Sequence, residues 1–213
     1  MNIKDMITHI DHTNLKAFAT KEDIYRLCDE AIEYHCASVC IPAAYVKSVK
    51  NKYGDNLRIC TVIGFPLGYS TQAVKVFEAQ DAIQNGADEI DMVINIGDVK
   101  NGEYDKVLNE ITAVRKATDK HILKVIIETC YLNDEEKIKM CEVVTKAGAD
   151  YIKTSTGFGS NGATIEDIRL FREHIGESVK IKAAGGIRTI EALTAYIEEG
   201  CDRIGSSSTA SFI

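Results

Sequence analysis

Three segments of this chain, NGADEIDMV, KAGADYIKT and EEGCDRIGS, each close a helical pattern with a glycine, follow it with Ala or Cys and then Asp, and enter a short apolar run. Glycine just past a helix supplies a left-handed cap without steric cost. The three glycines, Gly86, Gly148 and Gly200, stand 62 and 52 residues apart. Each interval holds two units of about 26 to 31 residues, the size of one strand, one helix and two short loops. Apolar or β-branched runs expected as strands fall at 7–11, 38–41, 58–64, 89–95, 122–128, 151–155, 179–184 and 203–205. Helical periodicity falls between them at 21–35, 44–52, 72–85, 104–117, 134–146, 165–175 and 190–199, with Thr20 and Asp23 placed as a capping box for the first. Eight βα units without a linker imply an α/β fold, a single-domain (β/α)8 TIM barrel over 1–213, whose size range begins near ~200 residues. An open doubly wound sheet is the alternative.

Composition narrows the function. With 25 Lys+Arg against 32 Asp+Glu the formal net charge is −7, and no basic run stands out, so a general nucleic-acid binder is excluded. Seven cysteines without a C-x-x-C spacing support neither a zinc ribbon nor a disulfide framework. The N-terminus MNIKDMITHI has no leader-type apolar region, and no stretch of about 18 apolar residues occurs. A reduced, cytoplasmic protein that binds no membrane is expected.

Parallel strands covered on both faces should be nearly unbroken apolar runs. Here Asp91 interrupts EIDMVIN, Lys153 interrupts YIKTS, Lys182 interrupts VKIKAAGG, and LKVIIE runs from Lys124 to Glu128. Alternation puts Ile90, Met92 and Ile94 under the helices and sends Asp91 inward; the same parity sends Lys153, Lys182, Lys124 and Glu128 inward, with Asp11 a further candidate. The expected interior set is three acids, Asp11, Asp91 and Glu128, and three bases, Lys124, Lys153 and Lys182, a balance that burial demands. A structural ion-pair network is the competing reading.

Lys153 and Lys182, on the sixth and seventh strands, are expected side by side. One ammonium beside another disfavours protonation, which would leave a nucleophilic amine suited to Schiff-base chemistry, with Asp91 able to move protons through a water. Gly185-Gly186-Ile187-Arg188 after the seventh strand and Gly205-Ser206-Ser207-Ser208 after the eighth occupy the positions where barrels bind phosphate, joined by Thr156-Gly157 after the sixth. The histidines, His9, His12, His35, His121 and His174, form no H-E-x-x-H and no His/Cys ligand cluster, so no metal is expected; His9 and His12 are expected on opposite faces of one strand. Cys40 reads as a small buried hydrophobe and Tyr69 as a rim residue without assigned chemistry.

The chain resembles the deoxyribose-phosphate aldolases, a family of class I aldolases. The resemblance rests on IDHTNLK (10–16), ICTVIGFPLG (59–68), VKVFEAQDAIQNGADEIDMVINIG (74–97), LKVIIET (123–129), AGADYIKTSTGF (147–158), KAAGGIR (182–188) and RIGSSS (203–208), in order along nearly the whole chain. It implies reversible cleavage of 2-deoxy-D-ribose 5-phosphate to D-glyceraldehyde 3-phosphate and acetaldehyde, in deoxyribose phosphate catabolism. Lys153 would form the imine, Lys182 would hold down its pKa, and Asp91 would shuttle protons. Gly157, Gly185, Gly186, Gly205, Ser207 and Ser208 would bind phosphate, and Thr13 and Thr156 would lie near the sugar hydroxyls. No metal or organic cofactor is implied, and a homodimer or homotetramer is expected from family habit. Some members carry a lysine where this chain has Phe158, which removes one cationic phosphate contact. Members with a longer tail place a C-terminal tyrosine over the site, for which this sequence, ending at Ile213, offers no counterpart. Another Schiff-base aldolase of transaldolase type, a metal-dependent sugar-phosphate epimerase or isomerase, and a non-catalytic sugar-phosphate-binding barrel are the rival readings.

Overall fold

A computed structural model describes residues 2–212. Eight parallel strands close into one barrel in sequence order, β1 (Ile10–Thr13), β2 (Ser38–Ile41), β3 (Ile59–Ile63), β4 (Glu89–Val93), β5 (Ile122–Ile126), β6 (Tyr151–Lys153), β7 (Lys180–Ala184) and β8 (Arg203–Ser206). Closure is made by β1 on β8, with Asp11 opposite Gly205. The open-sheet alternative is thereby excluded.

Nine helices surround the barrel among the described residues: α1 (Ile3–Ile7), α2 (Lys21–Tyr34), α3 (Ala43–Tyr53), α4 (Gln72–Gln84), α5 (Ile96–Lys100), α6 (Tyr104–Thr118), α7 (Asp134–Ala147), α8 (Ile165–His174) and α9 (Ile190–Glu198). All seven expected helices are present, and Thr20 and Asp23 form the reciprocal capping box at the start of α2. Gly86, Gly148 and Gly200 all take positive φ, as their repeated place after a helix requires. Between strands and helices lies the apolar layer set by strand alternation. Val39, Ile41, Ile59, Ile63, Ile90, Met92, Leu123, Val125, Ile152, Ile181 and Ile204 are all buried there.

Two short helices were not expected. α1 forms because the Asn2 side chain accepts from the Asp5 N–H; this takes Ile7 into a helix, so the first strand starts at Ile10 instead of residue 7. His9 therefore lies in a turn, its Nδ1 against the Asp202 carbonyl, and the opposite-face argument applied to His9 and His12 fails. α5 follows β4 directly, capped by Asn95, so that strand stops at Val93. The fifth strand likewise ends at Ile126, two residues short, and Glu128 has φ 48°, a left-handed conformation unusual for a residue with a Cβ.

The helix layer contains its own buried ion pair. Lys75 of α4 and Glu110 of α6 meet at 2.9 Å, fully and almost fully buried. Burial pushes the Lys75 ammonium below its ordinary value by more than Glu110 restores, and pushes the Glu110 carboxyl above its own by more than Lys75 offsets. The chain end at Ile213, on which the expectation about a tail tyrosine rests, lies outside the described residues.

Candidate active site

Inward-facing lysines of three strands, β5, β6 and β7, converge on one carboxylate of β4. Asp91 Oδ2 accepts from Lys153 Nζ and Lys182 Nζ, each at 2.7 Å, while Oδ1 accepts from Lys124 Nζ at 2.8 Å. Lys153 and Lys182 are direct ladder partners between β6 and β7, as expected, and Asp91 stands opposite Lys124 between β4 and β5. The contact between Asp91 and Lys153 is direct. Asp11 binds Lys182 by a short ion pair, accepts from Arg203 at 2.5 Å, and receives the Ser38 hydroxyl at 2.7 Å. Glu89 lies 2.5 Å from Lys124 and 3.0 Å from Arg203.

The interior set thus differs from the expected one in three members. Glu89 and Arg203 belong to it; Glu128 does not. Glu89 shares the parity of Asp91 on β4, and that alternation could have found it; Arg203 is the ladder partner of Lys182. Glu128 misses the cluster because β5 has ended before it. Four cations, Lys124, Lys153, Lys182 and Arg203, therefore face three carboxylates where a balance was expected.

Burial alone would neutralise these groups, but their mutual attraction outweighs it. It works against the Asp91 carboxylate, yet Lys124, Lys153 and Lys182 hold that group well below the usual carboxylate range. Asp11 is lowered in the same way, against burial, by Lys182, Lys124 and Arg203. For Lys182 burial pulls down while Asp11 and Asp91 pull up, and the net shift is upward; Lys124 behaves alike. Lys182 is thus a fixed positive charge beside Lys153.

Above the cluster opens a cavity of about 330 Å³, within the range of small-molecule sites. Lys153, Thr13, Thr156, Gly157, Gly185, Gly186, Gly205 and Ser207 all line it. Asp91 and Lys182 lie beneath its floor, fully buried. Ser208 is not part of the wall; its N–H donates to Ser206 Oγ and its carbonyl accepts from Ser211. Gly157, Gly185 and Gly186 have φ of 85°, 86° and 80°, which a side chain would strain, and a Cβ on Gly162 would lie 2.2 Å from the Gly185 carbonyl oxygen. Sequence reasoning missed Lys16, Arg26 and Arg188 on the same wall, although Arg188 stands in the glycine-loop motif itself. Phe158, in place of a lysine, is half exposed and stacks edge-on against Phe65 at 5.3 Å.

Cys40 and Cys60 are ladder partners in the barrel, and with Asp91 they bring sulfur and carboxylate atoms within 4.8 Å of one another; Asp11, Cys60 and Glu89 do the same. The spacing suits a metal, a grouping that the scattered sequence positions hid. The chemistry does not suit one: each of these carboxylates already faces a cation, and burial keeps the Cys60 thiol well above its ordinary value and so protonated.

Comparison with known proteins agrees with this arrangement. The profile of the DeoC/LacD family aldolases matches residues 5–207. A deoxyribose-phosphate aldolase from Clostridium botulinum (strain Alaska E43 / Type E3) is 60% identical over 207 residues, covering 97% of this chain and 94% of the relative. One from Clostridioides difficile (strain 630) is 58% identical over 206 residues, with the same coverage. Among solved structures, an aldolase called QR15 superposes with a TM-score of 0.94 at 40% identity, over 98% of this chain and 94% of the other. A deoxyribose phosphate aldolase from Aeropyrum pernix, described as tetrameric, superposes with a TM-score of 0.92 at 29% identity, over 98% and 89%.

Proposed function

The chain belongs to the DeoC/LacD family of aldolases, and from that membership we propose that it reversibly cleaves 2-deoxy-D-ribose 5-phosphate to D-glyceraldehyde 3-phosphate and acetaldehyde, with Lys153 as the imine-forming amine. The observation that carries this reading is the triangle of Lys153, Lys182 and Asp91. Lys153 is the only one of the cluster's ammonium groups that also lines the cavity. Lys182, fixed in its charged state by Asp11 and Asp91, stands beside Lys153 as its ladder partner. Asp91 Oδ2, 2.7 Å from the Lys153 nitrogen, is within reach to exchange a proton with it.

In the cleavage direction the Lys153 amine adds to the aldehyde carbon of the open-chain sugar, and loss of water gives a protonated imine. The bond between the sugar's second and third carbons then breaks as the hydroxyl on the third loses its proton. Its electron pair passes into the imine to give an enamine, which releases acetaldehyde after protonation and hydrolysis. The phosphate is assigned to the positive-φ residues Gly157, Gly185 and Gly186 together with Gly205 and Ser207, and Lys16, Arg26 and Arg188 on the same wall favour an anion locally despite the net charge of −7. The Ser208 backbone N–H, already given to Ser206 Oγ, is not counted in that set.

No helix among the described residues is long and apolar enough to cross a membrane. A homo-oligomer is the proposed assembly, supported by the tetrameric relative. The test of the mechanism is reduction with borohydride in the presence of acetaldehyde, followed by peptide mapping. An adduct on Lys153, absent in Lys153→Ala, is expected; an unmodified Lys153 would refute it.

A further inference from the structure

Seven acids are buried in this protein, and among the described residues Glu128 is the one with no Lys, Arg or His within ion-pair distance. Asp11, Glu89 and Asp91 share the barrel cations, while Asp98, Glu110 and Asp167 pair with Lys106, Lys75 and Lys137. Glu128 also has a positive φ. Two costs at one residue, a buried acid side chain without a cationic partner and a strained backbone, mark a position held for something other than stability.

The side-chain hydrogen bonds of Glu128 all go to the β6–α8 loop or to its own turn. Its carboxylate accepts the Thr156 N–H at 3.2 and 3.3 Å and the Thr156 hydroxyl in a short bond. A Cβ on Gly159 would come within 3.1 Å of the same carboxylate, so that glycine lets the loop close over it. The Thr156 oxygen in turn accepts from the Phe158 N–H at 3.0 Å. A hydroxyl has one proton and two lone pairs. With the proton given to Glu128 and one lone pair taken by Phe158, what Thr156 retains toward the cavity it lines is a single acceptor.

We infer that Glu128 is a positioning residue that fixes the Thr156 hydroxyl as a hydrogen-bond acceptor, so that this wall of the site selects a substrate carrying a hydroxyl donor over one with a bare or carbonyl carbon there. The inference rests on the aldolase reading for the identity of the substrate as a hydroxylated sugar phosphate. A carboxamide at 128 has one oxygen for two donors, and its NH₂ competes for the Thr156 lone pair.

The test is calorimetric binding of 2-deoxyribitol 5-phosphate, which lacks the carbonyl and cannot react, and of pentyl phosphate, which has no hydroxyl. Wild type, Glu128→Gln, Thr156→Val, Thr156→Ser and the double variant Glu128→Gln/Thr156→Val are compared, with thermal midpoints alongside. Each of Glu128→Gln and Thr156→Val is expected to weaken the polyol phosphate roughly threefold to tenfold, the worth of one neutral hydrogen bond, with little change for pentyl phosphate. The double variant is expected to lose no more than either single one, and Thr156→Ser to restore binding. Equal loss for both ligands, or additive losses, would overturn the role of Glu128. If Glu128→Gln does not fold, the Val and Ser variants at 156 still decide whether that hydroxyl discriminates the two ligands. Borohydride trapping of acetaldehyde on wild-type Lys153 tests the aldolase reading separately.

Discussion

Two buried sets of Lys and acid side chains respond to burial in opposite ways. In the helix layer one lysine meets one glutamate, and burial prevails: Lys75 is pushed down and Glu110 up, each toward its neutral form. Inside the barrel four cations interlock with three carboxylates, each acid touching at least two cations, and attraction prevails: Asp11 and Asp91 are pushed down, Lys124 and Lys182 up. Desolvation is charged once per ion, whereas attraction accrues with every partner. A lone pair can therefore be neutral at little cost, and a network keeps its charge. A site meant to work with fixed ammonium and carboxylate groups needs the network.

The largest way to break the comparison is at its reactive member. Lys153→Ala is expected to lower aldol cleavage by on the order of 10³-fold or more, the effect of removing a covalent nucleophile, while far-UV circular dichroism stays native. Retained activity would dismiss the proposed imine. Next comes stability. Lys182→Leu leaves Asp11 and Asp91 under-compensated, and urea unfolding should show a loss of ~3–5 kcal/mol. In contrast Lys75→Met/Glu110→Leu, which replaces the isolated pair by apolar groups, should lie within about 1 kcal/mol of wild type or above it. If the two variants cost the same, the distinction between pair and network fails.

The pH dependence sharpens the contrast. The folded-state pKa of Asp11 is lowered from 3.8, so its stabilising contribution is present above about pH 4 and is lost as pH falls through the folded value. The stability gap between wild type and Asp11→Asn, read from urea midpoints, should be constant from pH 5 to 8 and begin to close only below about pH 4. The smallest effect is expected at the rim. Phe158→Lys adds one solvent-exposed cation and should tighten inorganic phosphate binding by a few-fold at low salt, an advantage that 0.5 M NaCl removes.

Much of this was legible in the sequence because alternation and glycine caps are local signals. The register that puts Lys153 against Lys182 follows from counting strand residues, and so does the inward turn of Asp91. Less visible was what depends on where a strand stops. Glu128 has the right parity but sits two residues past the end of β5, where a left-handed residue redirects its side chain toward Thr156. Ile7 looks like strand and is helix, because a cap at Asn2 outweighs a β-branched propensity. Arg203 and Glu89 were hidden by their place at strand starts, where charges are ordinarily solvated; barrel closure buries both.

That closure has a temporal side. Asp11 enters the chain near its beginning, and its cations Lys182 and Arg203 come 171 and 192 residues later. A nascent barrel emerging from the ribosome holds Asp11 with only Ser38 and Lys124 for company until the last two strands are made. The seam between β1 and β8 is thus an assembly checkpoint. A chain that ends before β7 leaves the Asp11 carboxylate without either of those two cations.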